Sequence, residues 1–139
     1  MRIAVDFDGT IVEHEYPSIG REKMFAFQTL RELQKKGFKL ILWTYRYGKE
    51  LEEAVEYCQE NGIVFYAVNK NYPEEVFDEN SMSRKIDANI YIDDRNVGGF
   101  LGWSKIWQIL NPDQDDSGIY PEESKNKDSI GSRIKNIFK

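Results

Sequence analysis

Four acids, one hydroxyl and one ammonium stand out in this chain of 139 residues because of where they fall. Asp6 and Asp8 sit in the string Asp6-Phe7-Asp8-Gly9-Thr10, Thr44 follows Leu40-Ile41-Leu42-Trp43, Lys85 stands eight residues before Asp93, and Asp93-Asp94 follow Tyr91-Ile92. Carboxylates gathered in a partly dry cleft repel one another and need a cation. An all-oxygen set with few protein ligands suits Mg²⁺, which keeps several waters and completes its shell with a substrate phosphate. Asp6, ionised beside such an ion, can attack phosphorus and form an aspartyl-phosphate. Asp8 can give a proton to the leaving alkoxide and later take one from water. The peripheral phosphoryl oxygens need donors on the side away from the metal, and the Thr44 hydroxyl, nearby backbone N–H groups and Lys85 are the candidates.

These residues must be brought together by the elements between them. Ile3 to Val5 reads as a buried strand that stops at Asp6, with Gly9 permitting a sharp turn. Ala26, Phe27, Leu30 and Leu33 recur at helical steps within Glu22 to Lys36, and Gly37 closes that helix. Phe38 to Trp43 reads as a second strand, Leu51, Ala54, Val55 and Cys58 as one face of a helix ending at Asn61-Gly62, Ile63 to Val68 as a third strand and Asn89 to Ile92 as a fourth. Apolar strands alternating with helices predict an α/β fold, a three-layer Rossmann-like parallel sheet flanked by helices through right-handed crossovers. Ligands of such sheets bind outside the carboxyl ends of the strands, where all these acids fall. Asn69 to Asp87 is a polar stretch with room for a loop or a short helix.

The chain divides into an expected core over 1–110 and a polar segment over 111–139. Trp103, Ile106, Trp107 and Leu110 form a stripe read as core packing. Asn111 to Asp128 carries six acids against two lysines and reads as a solvated linker, while Ile130, Ile134, Ile137 and Phe138 suit a last helix. Hydrophobic residues at 40% and aromatics at 14% are ample for a core. The net charge of −5 lacks the footprint of a nucleic-acid or anionic-membrane binder. No apolar run reaches the ~20 residues of a membrane span, and Asp6 interrupts any signal peptide, so a cytoplasmic protein is expected. Cys58, the single cysteine, reads as a small core residue.

Asp6-Phe7-Asp8-Gly9-Thr10, Leu40 to Thr44, Lys85 and Tyr91-Ile92-Asp93-Asp94 resemble, in order, the four motifs of the haloacid dehalogenase superfamily, most of whose members are Mg²⁺-dependent phosphatases. The resemblance covers about residues 1 to 110. It implies that Asp6 is the nucleophile and Asp8 the general acid/base, that Thr44 and Lys85 bind phosphate with Gly9 and Thr10 beside them, and that Mg²⁺ is held by Asp6, the Asp8 backbone carbonyl and Asp93, with Asp94 a further ligand. The short gap from Thr10 to the first helix and the modest stretch from Asn69 to Asp87 leave little room for the large cap domain of many relatives. An open site favours a bulky phosphorylated substrate or a cap lent by a neighbouring subunit of an oligomer, because water exclusion strengthens the electrostatics of phosphoryl transfer.

Arg46, Asn69 and Arg95 follow strand ends and can touch the rest of a substrate or pair with a local carboxylate. His14, the lone histidine, is a candidate substrate contact, with a surface role the simpler reading. Two other functions remain as alternatives. A phospho-acceptor switch of the receiver type would place its acceptor Asp after the third strand, where this chain has Asn69. A phosphate-binding protein without turnover would keep the motifs and lose the chemistry.

Overall fold

The computed structural model describes residues 1–114. The chain forms two units, residues 1–100 and 101–139. The first holds strands β1 (Arg2–Val5), β2 (Lys39–Leu42), β3 (Ala67–Val68) and β4 (Ile90–Ile92) with helices α1 (Ala26–Lys35) and α2 (Gly48–Glu60); the second holds α3 (Trp103–Leu110). The expected helical segment 130–138 and most of the expected linker lie outside the described residues.

The four strands make one parallel sheet in the order β3-β2-β1-β4. Ile3, Ala4 and Val5 pair with Leu40, Ile41 and Leu42 on one side and with Ile90, Tyr91 and Ile92 on the other. The α/β fold with a parallel sheet is therefore as the alternation of elements predicts. Steps from β1 to β2 and from β2 to β3 run in the same direction, so right-handed crossovers put α1 and α2 on one face. The two helices touch there: the Phe27 and Tyr57 rings meet edge to face at 5.5 Å, and Arg31 Nη1 donates to the Asn61 carbonyl at 2.8 Å.

The return from β3 to β4 passes over the other face, where Ala4, Ile41 and Ala67 pack with Ile86 from the connection. That connection holds turns and no helix. Within this unit, then, the second covering layer is a loop rather than the helices expected on both faces.

Two element boundaries moved for local reasons. The helix expected from Glu22 starts at Ala26, because Glu22 pairs with Val12, the Lys23 N–H donates to the Ile11 carbonyl, and Phe25 turns through a left-handed φ of 67°. Glu22 instead caps α1 with its side chain, accepting the Phe27 N–H at 3.0 Å. The third strand shrinks to Ala67–Val68 because it is a sheet edge tied only to β2.

Cys58 is buried in α2 and burial pushes its thiol up to about 12, which fits an inert core residue. Trp103, Ile106 and Trp107 are the buried side of α3. Among the described residues no helix is long and apolar enough to cross a membrane.

Ile41 is fully buried between β1 and β3. Ile41→Ala is expected to lower stability by about 2–4 kcal/mol, seen as a lower urea midpoint with an unchanged slope.

Candidate functional site

Strand order reverses in direction at β1: the chain leaves it toward β2 and β3 and comes back on its other side as β4. A crevice opens at such a switch point, outside the carboxyl ends of the strands. Asp6 is the first residue past β1 and Asp93 and Asp94 the first two past β4, so parallel pairing delivers all three to this crevice. The Asp6 N–H donates to the Ile92 carbonyl at 3.0 Å and fixes the two ends together. One carboxylate oxygen from each acid lies within 4.8 Å of the others.

The turn after Asp6 holds this arrangement. The Phe7 carbonyl accepts N–H groups from Thr10, Ile11 and Val12, and Gly9 takes a φ of +87°. A side chain at Gly9 would overlap the Asp94 carboxylate as well as strain the backbone. The Thr10 hydroxyl lies 3.0 Å from Asp6 Oδ2 and 3.2 Å from Asp94 Oδ1, and accepts the Asp94 N–H at 3.0 Å. Gly9 and Thr10, implied as phosphate contacts by the resemblance, thus serve the acids in this structure.

Crowding has an electrostatic cost. The Asp6 carboxyl is pushed up to about 8, by burial first, then by its hydrogen bond with Asp94 and the charge of Asp93, against the opposing pull of Thr10 and the Phe7 backbone. A group of carboxylate oxygens this close, with the Asp6 carboxyl pushed up by burial and by its acidic neighbours, fits a hard divalent cation with oxygen ligands. Asp6, Asp93 and Asp94 are the residues that would hold it.

The cleft beside this triad has a volume of about 340 Å³ and is lined by Asp6, Trp43, Thr44, Tyr45, Asp93 and Arg95. Thr44 stands at its wall as expected. The Thr44 N–H donates to Asn69 Oδ1 at 2.8 Å, and its hydroxyl accepts the Arg46 N–H at 3.1 Å. Asn69, with φ of 53°, therefore shapes the loop that carries Thr44.

Asp8 and Arg46 are placed differently from the expectation. Their side chains are fully buried and joined in a two-pronged ion pair, Nε to Oδ2 at 2.8 Å and Nη2 to Oδ1 at 2.7 Å. Arg46 spends its other donors on the carbonyls of Pro17, Ser18 and Glu50, and its guanidinium lies 4.9 Å and 5.1 Å from the Phe7 and Tyr16 rings. Arg46 is thus an internal clamp rather than a rim contact. The Asp8 carboxylate faces this clamp and is not among the cleft-lining residues.

Lys85 also departs from the expectation. Its ammonium lies 5.4 Å from the Tyr91 ring, which shares a sheet face with Ala4, and Lys85 does not line the cleft. The cation at the cleft wall is Arg95. Its guanidinium lies 5.6 Å from the Tyr45 ring and 3.5 Å from His14 Nε2, and the Tyr45 hydroxyl is 3.0 Å from that same nitrogen. Tyr16 closes on Tyr45 edge to face at 5.2 Å. The Tyr45 phenol is raised above its ordinary value, by desolvation first and then by the Asp8 charge.

Tyr45 and Tyr16 were not found by sequence reasoning. The available signal was an aromatic side chain directly after Thr44 at a strand end.

No family model matches the chain, and no curated protein does. A solved structure of a conserved protein from Bacteroides thetaiotaomicron is similar to it at 50% sequence identity, over 88% of this chain and 98% of that one, with a TM-score of 0.76. The chain belongs to that protein's family. The likeness carries fold and kinship, and the chemistry rests on the geometry above.

Two outcomes test the geometry. Because the folded-state value of Asp6 lies above its ordinary 3.8, the stability linked to it is full below about pH 4 and is lost as pH rises through about 8. In the absence of divalent cations, Asp6→Asn is expected to be more stable than the parent at pH 8 by on the order of 2–4 kcal/mol, with the gap closing toward pH 4, as read from denaturant midpoints at the two pH values. Arg46→Met strands the Asp8 charge and is expected to cost about 3–5 kcal/mol, most of it recovered in Asp8→Leu/Arg46→Met, as read from denaturant midpoints.

Proposed function

We propose that the chain is a Mg²⁺-dependent phosphomonoester hydrolase of the haloacid dehalogenase type, with a HAD-like Rossmann core and no large cap. The observation that carries this reading is the meeting of Asp6, Asp93 and Asp94 at the β1/β4 switch point, within 4.8 Å of one another and beside a cleft walled by Thr44. The ordered resemblance of the four sequence motifs supports it.

Asp6, Asp93 and Asp94 would hold the cation, which would offset most of their charge and make the cleft attractive to a phosphoryl group. Asp6 is buried at the strand end with Oδ2 3.0 Å from the Thr10 hydroxyl, and its carboxylate is the nucleophile toward phosphorus. The P–O ester bond breaks, the alkoxide leaves with a proton, and water then splits the acyl phosphate and regenerates Asp6. Thr44, anchored from behind by Asn69 and Arg46, offers its hydroxyl to a phosphoryl oxygen. For Asp8 to exchange protons with the leaving group, its carboxylate must trade an Arg46 contact for one to the substrate. Arg46 is then a positioning residue for that step.

Binding of a phosphate ester without turnover is the second reading. It draws on the same pairing of Asp8 with Arg46 and on the position of Lys85 away from the cleft.

Hydrolysis of p-nitrophenyl phosphate separates the two. Turnover is expected with Mg²⁺, to vanish with EDTA and to fall by at least about 10³-fold in Asp6→Asn. Full activity in that variant excludes Asp6 as nucleophile, and binding of phosphate with no turnover in the parent leaves the second reading.

A further inference from the structure

The triad accounts for one end of the cleft. What lies beyond it is a wall of flat groups: Trp43, Tyr45 and the guanidinium of Arg95. Tyr45 is 46% exposed, yet its ring is fixed on several sides by the His14 hydrogen bond, the Tyr16 edge and Arg95. A large exposed aromatic held in one orientation has already met the ordering cost of binding. Arg95 has no ion pair with an acid among the described residues, although Asp93 and Asp94 precede it in the chain. A phosphoryl group at Asp6 fills only part of the 340 Å³, which leaves room along this wall for the rest of a substrate.

We propose that this wall is a base-stacking platform and that the substrate is a nucleoside monophosphate, its phosphate at the triad and its base on Tyr45 and Arg95. Aromatic and guanidinium planes are the groups on which unpaired bases stack, and they do so with little dependence on base identity. A sugar phosphate or a small aliphatic ester presents no flat face to this Tyr45–Arg95 pair. The net charge of −5 and the three acids in the cleft disfavour a long polyanion, which points to a single nucleotide rather than a strand. The assignment rests on the hydrolase reading for its phosphate end only.

Calorimetry on the full-length Asp6→Asn protein with Mg²⁺, titrated with adenosine monophosphate, ribose 5-phosphate and inorganic phosphate, tests the platform apart from catalysis. The nucleotide is expected to bind about 10-fold or more tighter than the sugar phosphate. Tyr45→Ala added to that protein is expected to erase the ratio, and Tyr45→Phe, which loses the His14 hydrogen bond but keeps the ring between Tyr16 and Arg95, to retain most of it. Equal affinities for nucleotide and sugar phosphate overturn the proposal, as does a Tyr45→Ala loss shared equally by all three ligands. An oligonucleotide with a terminal phosphate is the further arm: tighter binding of it than of the mononucleotide overturns the single-nucleotide assignment. Base preference in binding with no turnover by the parent protein fells the hydrolase reading and leaves the platform. Turnover of p-nitrophenyl phosphate without base preference in binding does the reverse.

Discussion

The ion pair between Asp8 and Arg46 joins three stretches of chain that no strand or helix connects. Asp8 belongs to the turn that ends β1, the carbonyls of Pro17 and Ser18 to the loop that follows, and the Glu50 carbonyl to the first turn of α2. One guanidinium with every donor used, lying against the rings of Phe7 and Tyr16, sets the distances among them. Burial makes the arrangement all or nothing, because either charge alone in that interior would be costly. The turn that carries Asp6 and the loop that carries Thr44 both flank this clamp, so the cleft inherits its shape from it.

Against that rigid background the triad is a deliberate destabilisation. Parallel pairing of β1 with β4 forces Asp6, Asp93 and Asp94 into one place, and the hydroxyl of Thr10 with the bare Cα of Gly9 makes room for them. The protein holds the acids in position at the expense of keeping Asp6 protonated well above its ordinary range. Strain of this kind clusters where a ligand is to be received.

The part of this arrangement that follows from chain direction was legible in the sequence. Apolar strands alternating with helices imply a parallel sheet, and acids at the ends of β1 and β4 then meet whatever the loops do. The rest depends on where side chains turn after they leave a strand. Arg46 was open between a substrate contact and a carboxylate partner, and the choice was made by Asp8, 38 residues away in the chain. Lys85 had the right spacing, but the connection that carries it packs Ile86 onto the sheet face and leaves the ammonium over Tyr91. Tyr45 and Tyr16 gain their meaning only from meeting each other and His14 across a loop, which no local pattern encodes. The delayed start of α1 has a similar origin, since Glu22 and Lys23 were taken into pairing with Val12 and Ile11.

A buried pair whose members fail singly constrains how this lineage can change. Positions 8 and 46 cannot drift one at a time, because each intermediate harbours a lone charge in the interior. Descendants should carry both residues or neither, and a kin sequence with apolar groups at both would have crossed that valley in a single step or through a neutral polar stopover.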